Sequence, residues 1–475
     1  MLCCRLALCA PLPWLGYDRR TLQEEGAVHG KQRLAKVADR VMGFAEADQV
    51  EVAIVRSTRD LTRFAENAVH QNVSEIDTQV RVRAVVGKRA GVASTNRIDD
   101  SGLRKVAETA SRLARLQPEN PEFRSLPEPE APPTADAYIE ATAACTPVQR
   151  ADGVRPLLDR CRKGGLRASG AFSTSASEYM IRSSLGVSAY HPVTLAQMSA
   201  VVMGETGSGY ACEDALDVSQ IDPNRVAEVA IDKAERSRGP AEVEPGTYTV
   251  ILEEPAVADM VFFLGRMGLG ALALQERRSF MSDRLGERVT GDRITIWDDG
   301  LDPRTVPFPF DFEGCPKRRV SLIEKGIARG VVYDSFTAGR EPDATSTGHG
   351  LPSPNAFGPL PTNLFLEPGE ATKEEMLAAT ERGIWVTRFH YTNAVHPVRT
   401  VLTGMTRDGT FLIEGGRITR PLKNLRFTQS ILDALASADM LGRTLKLRPV
   451  GAGPFAVCAP AARIREFTFT GTTQF

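Results

Sequence analysis

Hydrophobic positions near the start of the chain repeat first with the period of a helix and then with that of a strand. Apolar residues recur every three or four positions across Lys31–Glu46, which predicts an amphipathic helix. They then alternate through residues 50–54 and again through residues 80–86, which predicts strands. A second helix is expected to start near Asp100. Residues 31–117 therefore predict a small two-layer α/β N-terminal domain.

Composition divides the rest of the chain. Residues 118–135 are rich in proline and glutamate, which predicts a linker that cannot pack a core, because proline donates no hydrogen bond to a sheet. Residues 136–240 combine a helix capped at Thr146, short strands and a helix near Asp222–Ser237, which predicts a middle α/β domain. Residues 241–475 contain mostly short strands and turns, with helices predicted near Ala256–Gly265, Lys373–Glu381 and Thr428–Ala438. We expect them to form a large β-rich C-terminal domain, and the fold class to be α+β.

Residues 1–30 only loosely resemble a signal peptide. Arg5 is the single early charge, and Pro11 and Pro13 interrupt the apolar run. We interpret the segment as a disordered extension or a misassigned start. The cysteines of the remaining chain are scattered without short spacing, which indicates reduced thiols and a cytoplasmic protein. No run approaches the ~20 apolar residues that span a bilayer, so we expect no membrane association.

Charge and composition exclude one class of partner. The chain has 475 residues, 42% hydrophobic and 25% charged, with a formal net charge of −1. Two or three domains are expected at this length. The balanced charge argues against a nucleic-acid partner, because such proteins use a broad basic surface.

The histidines do not form a recognisable metal motif. Two zinc ligands on one helix need a spacing that places both imidazoles on one face, and no pair has a spacing of four residues. The six histidines are His29, His70, His191, His349, His390 and His396. We expect them to have structural or surface roles.

Motifs for nucleophilic and nucleotide chemistry are also missing. The glycines around Ser208 do not have the G-x-S-x-G spacing, and GETGSGYA is interpreted as a tight loop whose glycines permit positive φ. Glycines 265, 268 and 270 follow a predicted helix rather than opening one, which is not typical of a phosphate loop.

Glycine-containing polar blocks recur in the last third of the chain. They suggest a lined cavity or groove, although turn-rich β domains produce such blocks for structural reasons as well. The blocks are SFMSDRLG at 279–286, DFEG at 311–314, STGHG at 346–350, FHYTN at 389–393 and GMTRDG at 404–409.

These blocks, in this order, resemble the TldD/PmbA family, once called modulators of DNA gyrase. The resemblance also includes RFAENAVHQN, LIEKG, TRDGTFLIEGGRI and the closing PAARIREFTFTGT, and it extends from about Leu34 to Thr472. It implies a small α/β N-terminal domain, a middle domain and a β-rich C-terminal domain. Active members of the family are zinc metallopeptidases with H-E-x-x-x-H on the helix after the first C-terminal strand. A downstream cysteine helps to hold their metal.

This chain departs from the family at that helix. A predicted strand, Tyr248–Leu252, leads into a predicted helix, Ala256–Gly265. The family's motif then falls on apolar residues, a glycine and an arginine, so the metal ligands and the general base are absent. These positions are Val261, Phe262, Phe263, Leu264, Gly265 and Arg266. Cys458 lacks the glycine-rich context of the family's cysteine ligand. We therefore predict no catalytic and no metal-binding residue in this chain.

The departure resembles the TldE/PmbA branch of the family, whose members lack the metal motif. The resemblance implies a heterodimer with a TldD-type catalytic subunit that carries the zinc, or a possible homodimer, and peptides as substrates. This chain would then supply part of a chamber wall. The predicted wall residues are Ser346, Thr347, His349, Tyr391, Thr392, Asn393, Arg407 and Asp408.

Two alternatives remain open at this point. The chain could be an independent metallopeptidase-like hydrolase with a non-standard site, for which His349, His390 and Asp408 are the candidates. It could also be a regulatory binding protein, as the older family name suggests.

Overall fold

A computed structural model describes residues 28–451 and 453–473. The interpretation of residues 1–30 therefore lies outside the described residues, apart from the last three positions. Helices form where apolar periodicity and capping residues coincide. They are α1 (Lys31–Phe44), α2 (Asp100–Leu116), α3 (Glu140–Ala143), α4 (Pro147–Lys163), α5 (Pro223–Arg236), α6 (Glu254–Gly268), α7 (Ala271–Gln275), α8 (Ser335–Ala338), α9 (Lys373–Ala378) and α10 (Ile431–Ala436), with a 3₁₀ turn at Val218–Gln220.

The strands belong to three sheets. The first sheet contains β1 (Gln49–Ala65), β2 (Ala68–Val86), β3 (Arg89–Thr95), β4 (Arg167–Ser183), β5 (Ser188–Met203) and β6 (Ser208–Ala215). The second contains β8 (Ile296–Asp298), β9 (Val320–Glu324), β10 (Ile327–Ala328), β11 (Asn363–Leu366), β17 (Lys446–Pro449) and β18 (Ala456–Ala459). The third contains β7 (Gly246–Leu252), β12 (Arg382–His396), β13 (Val401–Glu414), β14 (Arg417–Pro421), β15 (Leu425–Ser430), β16 (Ala438–Leu441) and β19 (Ala462–Thr472). The α+β class is confirmed.

The first sheet joins the two predicted domains that precede residue 241. Its order is β3-β2-β1-β4-β5-β6, and all its neighbours are antiparallel. β1 pairs with β4 along the whole stretch from Glu51 to Phe64. Strands from residues 31–117 and 136–240 therefore form one continuous sheet rather than two separate ones.

The two faces of the first sheet meet different neighbours. Even-numbered residues of β1 such as Ile54 pack against α1 and α2. Phe172 of β4 packs on the same side against α4 and α5. Odd-numbered residues point away from the helices because side chains alternate along a strand. Among them, Tyr179 and Ile181 pack against Phe308 of the C-terminal region.

The predicted linker packs more than expected. Residues 118–135 contain neither helix nor strand, yet Phe123 and Leu126 are buried against Val85 of β2. The expectation that this segment cannot contribute to a core is therefore wrong. Its two apolar side chains anchor it, while its prolines and glutamates stay near the surface.

Five strands of the third sheet close into a ring. β12 pairs with β7 and β13, β13 with β15, β15 with β19, and β19 with β7. Closure leaves no unpaired edge where the strands meet. Aromatic rings fill the interior: Phe389 lies 4.5 Å from Phe427, and Phe467 lies 5.3 Å from Phe469. This ring forms the frame from which β7 leads into α6.

The GETGSGYA block differs from its prediction. Only its first part is a turn, because β6 begins at Ser208. Neither Gly207 nor Gly209 has a positive φ. A Cβ at Gly207 would lie 2.2 Å from the carbonyl oxygen of Ser237, and one at Gly209 would lie 2.2 Å from that of Ala230. These glycines allow β6 to approach α5 closely, and the prediction that they permit positive φ is wrong.

Candidate functional site at helix α6

Strand β7 leads directly into α6. Pro255 occupies the first turn of the helix, where the missing N–H of proline costs no helical hydrogen bond. The Glu253 carboxylate accepts hydrogen bonds from Lys233 of α5 and from Trp385 of β12, both at 2.7 Å. Burial alone would raise the pKa of Glu253, but the positive charges of Lys233 and Lys373, together with the hydrogen bonds from Lys233 and Trp385, outweigh burial and lower that pKa. These contacts fix the start of α6.

The positions of the missing motif lie on two sides of α6. Val261 and Gly265 are buried in the core of the C-terminal region. A Cβ at Gly265 would lie 2.8 Å from the Leu364 side chain, so the contact favours glycine. Phe262 is half-buried, and the exposed Arg266 places its guanidinium 5.7 Å from the Phe262 ring.

The half-exposed side of α6 presents Asp259, Phe262, Phe263 and Arg266, which recur at helical spacing. It offers one carboxylate, two rings and a guanidinium. Zinc sites in proteins need several nitrogen, sulfur or oxygen ligands converging on the ion. The residues on this side of α6 therefore do not fit a zinc site, whichever register is chosen for the family motif.

Two arginines approach Asp259 from neighbouring strands. Burial raises the pKa of Asp259 to about 6, although the positive charges of Arg448 and Arg388 oppose this rise. Nε and one terminal nitrogen of Arg388 both donate to Oδ2 of Asp408, and Arg448 lies 3.5 Å from Asp214. Both cations are thus already matched by carboxylates. Asp259 therefore keeps a raised pKa despite the two nearby arginines.

Alternate residues of β6 complete this polar cluster. Tyr210 lies beneath the Arg388 guanidinium at 4.4 Å, and Cys212 Sγ accepts a hydrogen bond from Arg448 at 3.2 Å. A cavity of ≈ 210 Å³ opens beside Cys212 and Arg448. Sequence reasoning missed the cluster because it treated the first residues of β6 as a loop. The signal that could have found it is the alternation of Ser208, Tyr210 and Cys212.

Three of the predicted wall residues lie in the turn that precedes residue 350. Ser346 and Thr347 are half-buried, and their hydroxyls donate hydrogen bonds to the carbonyl oxygen of Tyr333 at 3.5 and 3.1 Å. His349 is fully buried, and its Nε2 lies 2.7 Å from Asp298 Oδ1. Contrary to the expectation that His349 faces a chamber, it lies in the interior, because Asp298 provides a buried partner for it.

The other five wall residues lie on the hairpin of β12 and β13. Tyr391 is 72% exposed, and its carbonyl oxygen accepts a hydrogen bond from the Asn393 side chain at 2.9 Å. Arg407 is exposed, Thr392 is half-buried, and Asp408 is buried where β6 meets the hairpin. Among the described residues, no hydrogen bond or ion pair joins this group to the turn that carries His349. The three candidates for an independent hydrolase are likewise divided between the two places.

A third group of potential ligands belongs to the DFEG block. Asp311, Glu313 and Cys315 place one ligand atom each within 4.8 Å of one another. However, Asp311 already accepts hydrogen bonds from the N–H groups of Glu313, Cys315 and Gly350. Both oxygens of Glu313 accept from Ser335. Since all four carboxylate oxygens are occupied as acceptors, we assign no ion to this group.

Two domains of one known protein family match separate parts of this chain. Residues 245–471 match the PmbA/TldA metallopeptidase C-terminal domain, and residues 50–114 match the PmbA/TldA metallopeptidase domain 1. The chain belongs to the PmbA/TldD family. The resemblance inferred from the polar blocks is thereby confirmed.

Relatives extend the match across the chain. A metalloprotease TldD homolog of Haemophilus influenzae is 24% identical over 93% of this chain and 96% of that protein. A metalloprotease of Methanocaldococcus jannaschii is 30% identical over 42% of this chain and 45% of that protein. The crystal structure of TldE from Thermococcus kodakarensis has a TM-score of 0.83 at 19% identity, covering 92% of this chain and 100% of that one.

These findings place the chain in a metallopeptidase-like family with a mixed α+β fold. In residues 28–451 and 453–473, every helix is too short or too polar to cross a membrane.

Proposed function

We propose that this chain is a non-catalytic subunit of the TldE/PmbA type. It works in the cytoplasm with a TldD-type zinc metallopeptidase on unfolded or modified peptides. The observation that carries the proposal is the half-exposed side of α6, where Asp259, Phe262 and Arg266 stand without an imidazole. Zinc-dependent peptide hydrolysis requires a held metal and a base that takes a proton from water. In this proposal, the partner supplies both.

The contribution of this chain is a polar wall. Thr392, Asn393 and Arg407 occupy one hairpin beside the polar cluster of α6, and Ser346 and Thr347 form a second polar turn. Polar side chains beside strands suit an extended peptide, whose main chain needs hydrogen-bond partners. Asp408 and His349 support these surfaces from the interior.

The hairpin also supports the proposal of a partner subunit. Tyr391, Val395 and Val398 are 72%, 57% and 46% exposed. Large apolar side chains grouped on one projecting hairpin are typical of a protein–protein contact. A TldD-type subunit would cover them in the heterodimer, and a second copy of this chain would do so in a homodimer.

The central test is peptide hydrolysis by three preparations: this chain, a TldD-type partner, and the two together. We expect zinc-dependent cleavage only when the partner is present, and no stoichiometric zinc in this chain by metal analysis. A matched pair of variants locates the chemistry: changing the glutamate of the partner's H-E-x-x-x-H motif to glutamine should abolish cleavage, whereas Asp259→Asn in this chain should not. Zinc-dependent cleavage by the purified chain alone would refute the proposal.

The partner contact has its own test. A variant with Tyr391→Ser, Val395→Ser and Val398→Ser should form the heterodimer at least tenfold more weakly in analytical ultracentrifugation. The matched control replaces Leu116 and Val148 by serine, since these are 73% and 68% exposed on α2 and α4. Equal association by both variants would remove the hairpin from the interface.

A further inference from the structure

One face of the first sheet carries no helices. It contacts the C-terminal region at one end of the strands and forms an open trough at the other end. At one end of β4, Tyr179 and Ile181 pack against Phe308 and Phe312. Toward the other end, the sheet and the C-terminal loops separate. Cavities of ≈ 370 and ≈ 460 Å³ lie in this gap, and they share lining residues, among them Ser177 and Tyr179. Clefts between two parts of a protein are common ligand sites.

Small hydroxyl side chains form the floor of the trough. We call this site the serine trough and define it by Ser57, Arg59, Ser173, Ser175 and Ser177. These residues lie on one face of two paired strands, because Ser57 is opposite Ser177, and Arg59 is opposite Ser175. From Ser173 to Tyr179 the floor spans about 20 Å at the usual rise per strand residue. That length matches about six residues of an extended chain.

Unused hydrogen-bonding groups point to a main-chain ligand. The hydroxyls of Ser57 and Ser177 bond each other at 2.9 Å, but the half-buried hydroxyls of Ser173 and Ser175 make no hydrogen bond with a described residue. Each serine hydroxyl can donate one hydrogen bond and accept two. The main-chain groups of β1 and β4 are already paired within the sheet. A peptide in the trough would therefore bind through the hydroxyls.

Arg59 gives the trough a charge preference. Its side chain is exposed in the middle of the floor, and its guanidinium makes no hydrogen bond or ion pair with a described residue. Glu75 and Asp77 lie on β2, opposite Arg59 and Ser57, and belong to the same lining. A guanidinium without an ion pair favours a carboxylate. Glu75 and Asp77 disfavour a polyanion such as a nucleic acid, because its phosphates would meet like charges.

We propose that the serine trough binds an extended peptide of about six residues, with an acidic side chain of that peptide on Arg59. The inference rests on the proposed peptide-handling function and adds a second binding surface, on the first sheet, to the one at α6. It names the class of ligand: an unfolded polar segment that carries an isolated carboxylate.

Fluorescence anisotropy on the full-length chain tests the trough. The probes are a fluorescein-labelled, C-terminally amidated heptapeptide of glycine, alanine and serine with a central glutamate, and its twin with glutamine. We expect the wild-type chain to bind the glutamate peptide several-fold more tightly. Ser175→Phe, which fills the floor, should weaken both peptides more than tenfold, and Arg59→Gln should make the two affinities equal.

Matched controls separate the trough from general effects. Ser74→Phe changes the opposite face of the same sheet, and Arg112→Gln removes an exposed charge on α2; both should bind like the wild type. Arg59→Gln alters one exposed side chain, so it remains informative if Ser175→Phe does not fold. Absence of binding by the wild type, or unchanged affinities in Ser175→Phe and Arg59→Gln, would overturn the trough. Failure of the proposed function would appear instead as hydrolysis by this chain alone.

Discussion

Asp298 and Asp311 are both buried in the C-terminal region, yet their pKa values move in opposite directions. Each accepts hydrogen bonds from three nitrogen atoms. Burial would raise the pKa of Asp298, but its contact with His349, the positive charge of Lys317 and the hydrogen bond from the Asn363 N–H lower it to about 2. Burial and the negative charge of Glu313 raise the pKa of Asp311 to about 8. The sign of the neighbouring charge, not the depth of burial, therefore decides in which direction the pKa of a buried acid moves.

Asp298→Ala is expected to have the largest effect on stability. It leaves His349 and two main-chain N–H groups without their buried acceptor, so we expect a loss of about 3–5 kcal/mol in the free energy of unfolding. Urea denaturation followed by far-UV circular dichroism measures it. Asp343→Ala is the control, because Asp343 is exposed and should change stability by less than about 0.5 kcal/mol. A loss below about 1 kcal/mol for Asp298→Ala would contradict the closed network.

Arg83→Met tests the ion pairs that hold Glu313, the neighbour whose negative charge raises the pKa of Asp311. Arg83 lies 3.2 Å from Glu313 and 3.8 Å from Glu51, and it joins the first sheet to the DFEG turn. We expect a loss of about 2–4 kcal/mol by urea denaturation, less than for Asp298→Ala. The reason is that burial raises the pKa of Glu51 to about 7, so this carboxyl can take up a proton when the arginine is removed. Arg112→Met, on exposed α2, should be nearly neutral; an equal loss in both variants would argue against the link.

Asp311→Asn tests the raised pKa of Asp311 through the pH dependence of stability. The pKa of Asp311 is raised from 3.8 to about 8 in the folded chain, so the stability it contributes is full below pH 3.8 and is lost as pH rises through about 8. We expect the wild type to lose about 1–2 kcal/mol between pH 6 and 8 relative to the variant. Urea denaturation across that range measures the difference, with Asp343→Asn as the control. Parallel pH profiles would show that Asp311 does not titrate there.

His349→Gln gives the smallest effect, with the opposite sign. Burial and the positive charge of Lys317 lower the pKa of His349 below its ordinary 6.5. Its stability contribution is therefore present above pH 6.5 and lost as pH falls below it. We expect the wild type to lose about 1 kcal/mol between pH 7 and 5 relative to the variant. His70→Gln, on exposed β2, serves as the control, and a pH profile unchanged by His349→Gln would count against a neutral buried imidazole.

Helices could be predicted closely from the sequence because their signals act within one turn. The predicted helix Lys31–Glu46 corresponds to α1, and the cap at Thr146 forms with Gln149 as expected. The predicted helix Thr428–Ala438 is only partly correct. β15 continues to Ser430 because it pairs with β13, and this long-range pairing outweighs local helical preference.

Sheets and sites depended on contacts that the sequence does not encode locally. The absence of histidine from α6 could be predicted from the sequence alone, since it depends only on which residues are present. The approach of Arg388 and Arg448 to Asp259 could not, because it requires strands from two different sheets to meet one helix. The serine trough was missed for a similar reason: its hydroxyls converge only when β1 and β4 pair.

The pairing of β1 with β4 has a consequence during synthesis. Ser183 follows its partner Glu51 by roughly 130 positions, and the whole of α2, α3 and α4 lies between the two strands. At about 5–20 residues per second, a ribosome needs roughly 7–26 s to add that much chain. Throughout this interval β1 has one unsatisfied edge, to which another nascent chain could add. Slowing translation between β1 and β4 should therefore lower the yield of folded protein more than slowing it after β6.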